Sequence, residues 1–234
     1  MTTLKLTFAG HSACFLEIQN SVIAIDPWLQ ENPSCPANLK MPPRIDLIVL
    51  THGHADHASE AAALAKRLGS SIAATWELAM LMMAEGVPQS QVIPMNKGGT
   101  VSVNDVQLTL THAFHSSSYD TPQGPRYAGE PCGVVLRSAG LSVYHAGDTA
   151  LFGDMRLIGE LYQPQLALLP IGDRFTMGPA EAALAAKLVG CKIAIPIHFN
   201  TFELLTGTAE EFKKFCAAQG VQAVVLEPGA THLI

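Results

Sequence analysis

Between Thr51 and His57 the chain reads Thr-His-Gly-His-Ala-Asp-His, which brings three imidazoles and one carboxylate into six consecutive residues, His52 to His57. Imidazole nitrogens and carboxylate oxygens suit zinc and other borderline divalent ions, and the run has no cysteine. His52, His54 and Asp56 fall at alternate positions immediately after an apolar stretch, so an extended backbone would point all three the same way. A helix would turn His54 nearly to the opposite side. His57 follows where the chain turns towards a helix, and can aim at a second point nearby. A solvated loop with chance histidines accounts for one or two such residues, but not for four ligand types at this spacing. Ions held there would activate water and stabilise charge developing on a carbonyl or phosphorus centre.

The apolar stretch before the run, Leu47 to Leu50, has the length of a strand buried on both faces. Upstream, Leu4–Phe8, Phe15–Ile18 and Val22–Ile25 alternate like strands, separated by Gly10-His11-Ser12 and by Asn20-Ser21, and predict an antiparallel meander. Gln30–Pro43 carries four prolines and is expected to be a loop bordering a site. Downstream, Ser59–Leu68 is alanine-rich and closes on Gly69, which predicts a helix with a glycine cap. Trp76–Glu85 predicts another. Val101–Thr111 and Gly133–His145 are strand-rich and imply a second sheet. A helix begins at Pro179 and stops at Gly190, and a Thr208-x-x-Glu211 capping box opens one that runs to Gly220. Strands Ile193–Ile197 and Val221–Leu226 flank the latter. This order of elements suggests two packed sheets with helices outside.

At 234 residues the chain is expected to form one domain, residues 1–234, without a repeat or linker to divide it. With 48% hydrophobic and 15% charged residues its composition is globular. A formal charge of −6 with no basic run argues against nucleic-acid binding. Met1–Phe8 alternates polar and apolar residues where a signal peptide would have a charged end and an apolar block, and no later stretch has transmembrane length, so no membrane association is expected. Five scattered cysteines make neither a disulfide framework nor a zinc ribbon and fit a reduced, cytoplasmic protein. Self-association is left open.

The run at His52 to His57 resembles the His-x-His-x-Asp-His hallmark of the metallo-β-lactamase superfamily, and the match is complete. The family's later ligands have counterparts in order. Thr111-His112-Ala113-Phe114-His115 offers two histidines near a strand end, Tyr144-His145-Ala146-Gly147-Asp148-Thr149 resembles the strand-end Gly-Asp, and Ile197-His198 ends another strand. Gly10-His11-Ser12, Ile171-Gly172-Asp173 and Thr176-Met177-Gly178-Pro179 extend the similarity over nearly the whole chain, towards a compact subfamily described only as metal-dependent hydrolases. That wider similarity favours His115 over His112.

The resemblance implies an α/β fold of the four-layer αββα sandwich type. It also implies two divalent ions, with Zn2+ the default and Mn2+, Fe2+ or Ni2+ acceptable to the same donors. One would take His52, His54 and His115, the other Asp56, His57 and His198, with Asp148 and a hydroxide between them. Asp56 and Asp148 would then be catalytic, Asp56 orienting the hydroxide and shuttling a proton. Three further residues lie outside the ligand set, and two of them carry two readings. His11 is a substrate ligand or proton donor, or a surface turn histidine. His145 is a hydrogen-bonding support behind the ligands. Asp173 either enters the site or has a capping or salt-bridge role with Arg174. His112 and His232 are read as ordinary strand residues, and the cysteines as core packing.

The function implied is hydrolysis of a small ester, lactone or thioester. A phosphodiesterase using the same site is the alternative, and a non-enzymatic, metal-dependent ligand-binding protein is a minor one. The substrate class is a small molecule in each case.

Overall fold

The computed structural model describes residues 3–234. Met1 and Thr2, part of the alternating start, lie outside them. In chain order the elements are β1 Leu4–Gly10, β2 Ala13–Ile18, β3 Ser21–Ile25, β4 Leu47–Val49, α1 Ala55–Ala58, α2 Ala61–Leu68, β5 Ser71–Thr75, α3 Trp76–Ala84 and β6 Val92–Met95. There follow β7 Thr100–Val103, β8 Val106–His112, β9 Ser118–Thr121, β10 Gly124–Tyr127, β11 Cys132–Ser138, β12 Leu141–His145, α4 Met155–Tyr162 and β13 Leu166–Pro170. The last are α5 Pro179–Val189, β14 Ile193–Ile197, α6 Ala209–Ala218, β15 Gln222–Ala223 and β16 Thr231–Leu233.

Two seven-stranded sheets form, ordered β16-β1-β2-β3-β4-β5-β6 and β15-β14-β13-β12-β11-β8-β7. Each is antiparallel on one side and parallel on the other: β3 to β6 and β12 to β15 run parallel. Period-two alternation sorts their side chains into layers. In β4, Leu47 and Val49 enter the core between the sheets, while Ile48 and the following Leu50 pack under α2 and α3. In β13, Leu166 and Leu168 face the same inter-sheet core, while Ala167 and Leu169 pack under α5. Strands covered on both faces need unbroken apolar runs, which is why these segments do not alternate. Helices thus cover the outer face of each sheet, giving the expected αββα sandwich.

Several boundaries differ from the sequence reading. The helix expected from Ser59 starts at Ala61, after the short α1. Val221–Leu226 pairs in register with β14 only at Gln222–Ala223; after one further bond from Val224 to Ala194 the chain leaves this sheet to add β16 beside β1 in the other. The strands β5 and β6, the helix α4 and the polar hairpin β9–β10 are additions to that reading.

Among the described residues, no helix is long and apolar enough to cross a membrane.

Candidate metal centre

The chemistry-bearing residues gather where strands of both sheets end, the usual position for sites on parallel sheets. Beyond β4, His54 is extended, but α1 begins at Ala55. Asp56 therefore sits in a helical turn and diverges from His52 and His54, so the expectation that all three side chains point together fails there. Among the described residues, ligand-type atoms within 4.8 Å of one another form two separate groups, His52, His54 and His115 in one and His11, Asp56, His57 and His198 in the other, and a third, Asp26, His52 and His57, shares a member with each.

Asp148, just beyond β12, lies between the groups. Its Oδ2 is 4.0 Å from His52 Nε2 and 3.7 Å from His115 Nε2 on one side, and 3.4 Å from His57 Nε2 and 3.1 Å from His198 Nε2 on the other. Gly147 allows this placement. Its φ is +61°, and a Cβ there would come within 2.8 Å of Cys132 O and Thr51 Cβ. Gly53 is required for a different reason: a Cβ would come within 2.6 Å of Ala128 Cβ beside the β9–β10 hairpin.

A residue that the motif does not contain organises the centre. Asp26, directly after β3, is fully buried and has φ +47°. Its Oδ1 accepts from Thr51 N at 2.8 Å, and its Oδ2 accepts from Thr51 Oγ1 at 2.6 Å and from His57 Nδ1 at 2.8 Å. Because the Thr51 hydroxyl gives its hydrogen to Asp26, it accepts from His52 Nδ1, 3.0 Å away. Both histidines then carry hydrogen on Nδ1 and turn an Nε2 lone pair inward, the arrangement of ligating histidines. The sequence signal for Asp26 was a carboxylate at a strand end, followed by Pro27.

The donor set fits cations. His57 Nε2 and Asp148 Oδ1 are buried without a hydrogen-bond partner, and buried polar atoms of this kind call for one. Burial works against the Asp148 carboxylate, but His198 and His57 hold its pKa well below the usual range. Burial likewise works against charging His57, yet Asp148 and Asp26 raise its pKa well above normal, so without an ion Nε2 holds a proton that a bound cation would displace, freeing the lone pair. Such a site attracts positive charge, and a divalent ion would supply it. His52 is driven well below its ordinary value by burial and then by His57, which keeps it neutral and ligating.

The remaining expected residues separate clearly. His11 is buried, with Nε2 3.0 Å from Asp56 Oδ2, so it is not a surface turn histidine. Burial pushes it down to about 4, against the pull of its Asp56 hydrogen bond. His145 is also buried. It places Nε2 3.0 Å from Ser12 O and accepts from Gly147 N at 3.1 Å, so it steadies the backbone before Asp148. Asp173 is exposed, with Thr206 Oγ1 at 3.5 Å, and is not brought to the centre; Arg174 lies over the Phe175 ring, and no ion pair joins Asp173 to it. His112 faces Lys97 and the Phe114 and Phe152 rings, outside both groups. All five cysteines are buried and free.

Comparison with known proteins shows the family and the fold. A family model described as a beta-lactamase superfamily domain matches residues 21–199. A UPF0173 metal-dependent hydrolase of Rubrobacter xylanophilus is 46% identical over 230 residues, covering 96% of this chain and 94% of the relative. One from Methanosarcina mazei is 44% identical over 231 residues, covering 98% of each. Among solved structures, Igni18, a metallo hydrolase from Ignicoccus hospitalis, aligns with a TM-score of 0.88 at 38% identity, covering 99% of this chain and 98% of the other. An isothiocyanate hydrolase from Delia radicum gut bacteria shares the fold, with a TM-score of 0.72 at 19% identity over 97% of this chain and 98% of its own.

Proposed function

The chain belongs to the metallo-beta-lactamase superfamily and is a metal-dependent hydrolase, and from that premise we propose that it cleaves a small ester, lactone or thioester at a two-ion centre. The observation that carries the two-ion reading is the position of Asp148 Oδ2, within 4.0 Å of histidines from both groups. His52, His54 and His115 would hold one ion, and Asp56, His57 and His198 the other, with Asp148 shared. Zinc is the first choice for this donor set, ahead of manganese, iron or nickel. When bound, the ions supply an activated water and take up charge developing on the carbonyl oxygen.

The chain's own groups do the rest. Asp26 and Thr51 fix the ring orientations of His57 and His52. Asp56, partly exposed, can take the proton released from the attacking water and pass it to the leaving group as the bond breaks.

The surroundings favour a carbonyl substrate. Among the described residues, the polar partners of these ligands are His, Asp and Thr, with no Arg or Lys. A phosphodiester anion is ordinarily met by such cations. Aromatic rings border the centre instead: Trp28 and Phe202 lie 5.4 Å from the His11 ring, and exposed Phe114 precedes His115. The core shared by both sheets supports reading residues 1–234 as one domain. Five free, buried cysteines fit a reducing cytoplasm.

The test is a side-by-side rate measurement on a model lactone and a model phosphodiester, each with a chelator-treated control. Chelator-sensitive lactone turnover is expected. Turnover of the phosphodiester alone would replace the carbonyl reading, and ligand binding without metal-dependent turnover of any hydrolysable substrate would remove the enzyme reading.

A further inference from the structure

We propose that His11 is a positioning residue for the second ion pocket, held rigidly so that it orients the Asp56 carboxylate, with Thr201 setting its tautomer. This rests on the two-ion reading and assigns to the Gly10-His11-Ser12 turn a role of its own.

The turn is fixed to an unusual degree. Its three consecutive carbonyls are each held by a different part of the chain: Gly10 O by Asn32 Nδ2 at 3.1 Å, His11 O by His198 N at 2.7 Å, and Ser12 O by His145 Nε2 at 3.0 Å. His11 itself has φ +56°, a conformation a non-glycine residue keeps only when its surroundings impose it. Asn32 belongs to the proline-rich loop, which is anchored in turn by Glu60: its carboxylate accepts from the backbone nitrogens of Leu29, Gln30 and Glu31. The loop therefore has a definite task in holding the turn.

What the turn delivers is one ring with both nitrogens engaged. The ionised Asp56 carboxylate can only accept, so the hydrogen in the 3.0 Å contact lies on His11 Nε2. Nδ1 is then a lone pair and accepts from Thr201 Oγ1 at 3.0 Å, a shorter contact than that hydroxyl's other acceptor, Phe199 O at 3.3 Å. Fixing Oδ2 of Asp56 in this way leaves Oδ1 on the side of His57 Nε2, 4.0 Å away. Through its carbonyl the same residue holds the backbone of His198, so His11 steadies two of the three histidine and carboxylate ligands peculiar to the second pocket.

The experiment is zinc titration of the purified full chain against a competing chelator, resolving two stepwise affinities, and repeated in a His115→Ala background that isolates the second pocket. His11→Ala is expected to weaken the second-pocket affinity by roughly 10- to 100-fold and to leave the first unchanged. His11→Gln, whose amide N–H can reach Asp56, is expected to restore most of the loss. Thr201→Val, which leaves the turn intact, is expected to weaken the same pocket less, and it serves as the test should His11→Ala fail to fold. Unchanged second-pocket affinity in both His11→Ala and Thr201→Val would overturn the proposal. So would a cobalt-substituted wild type whose spectrum loses a nitrogen ligand in both His11 variants, since His11 would then be a direct ligand. A wild type that binds one ion only would overturn the two-ion reading itself, an outcome visible before any His11 variant is made.

Discussion

The two ligand pockets are built from similar side chains but supported differently. In the first, His54 and His115 are partly exposed, and only His52 is tied back to a buried network. In the second, His57 and His198 are buried and Asp56 is partly exposed, and all three are held from behind, by Asp26, by the His11 carbonyl and by the His11 ring. Similar ligands can therefore give unequal ion retention, because the entropy of ordering a side chain is met in one pocket by the fold and in the other at the moment of binding.

The sharpest way to break this comparison is to remove what the pockets share. Asp148→Ala is expected to lower kcat/KM by at least about a thousandfold and to reduce metal content in both pockets while circular dichroism stays native; retained activity in a metal-verified variant would end the two-ion assignment. Asp26→Ala comes next. It leaves Thr51 and His57 donors buried and unpaired, and should cost about 3 kcal/mol in denaturant unfolding, with weaker binding in both pockets; loss confined to the first pocket would contradict the network drawn around His57. His115→Ala should empty the partly exposed pocket and spare the buried one, giving one ion per chain by elemental analysis. A chelator time course on the wild type should be biphasic, with the first pocket emptying faster, and a single phase would show that the difference in burial does not govern release. The smallest effect belongs to His112→Ala, expected to change turnover by less than about twofold because the ring packs outside both groups; a large loss there, with His115→Ala silent, would exchange their assignments.

The layers were legible because binary patterning and caps act locally. Ile193–Ile197 was bounded correctly from its apolar run, and Thr208 accepts from Glu211 N as its capping box implies. The ligand run was legible because its residue types are costly to bury without a purpose. What escaped was set by tertiary context. Asp26 follows a strand like many acidic residues, and nothing in Ile25-Asp26-Pro27 says that three donors from residues 51 and 57 will converge on it. The direction of Asp56 depended on a short helix starting at Ala55, four residues before the expected helix at Ser59, and propensity does not locate such a boundary. His11 was ambiguous for the same reason: its ring is packed by Trp28, His57, His198 and Phe202, none of them its sequence neighbours.

The pairing of β16 with β1 also shapes how the molecule can assemble. Lys5, Leu6 and Thr7 align with Leu233, His232 and Thr231, so one side of β1 remains an open strand edge until a segment from far along the sequence arrives. Closing so large a loop is entropically slow. During synthesis that edge is available to other strands while β2 already pairs with its opposite side, and this is a stage at which the chain is exposed to misassembly.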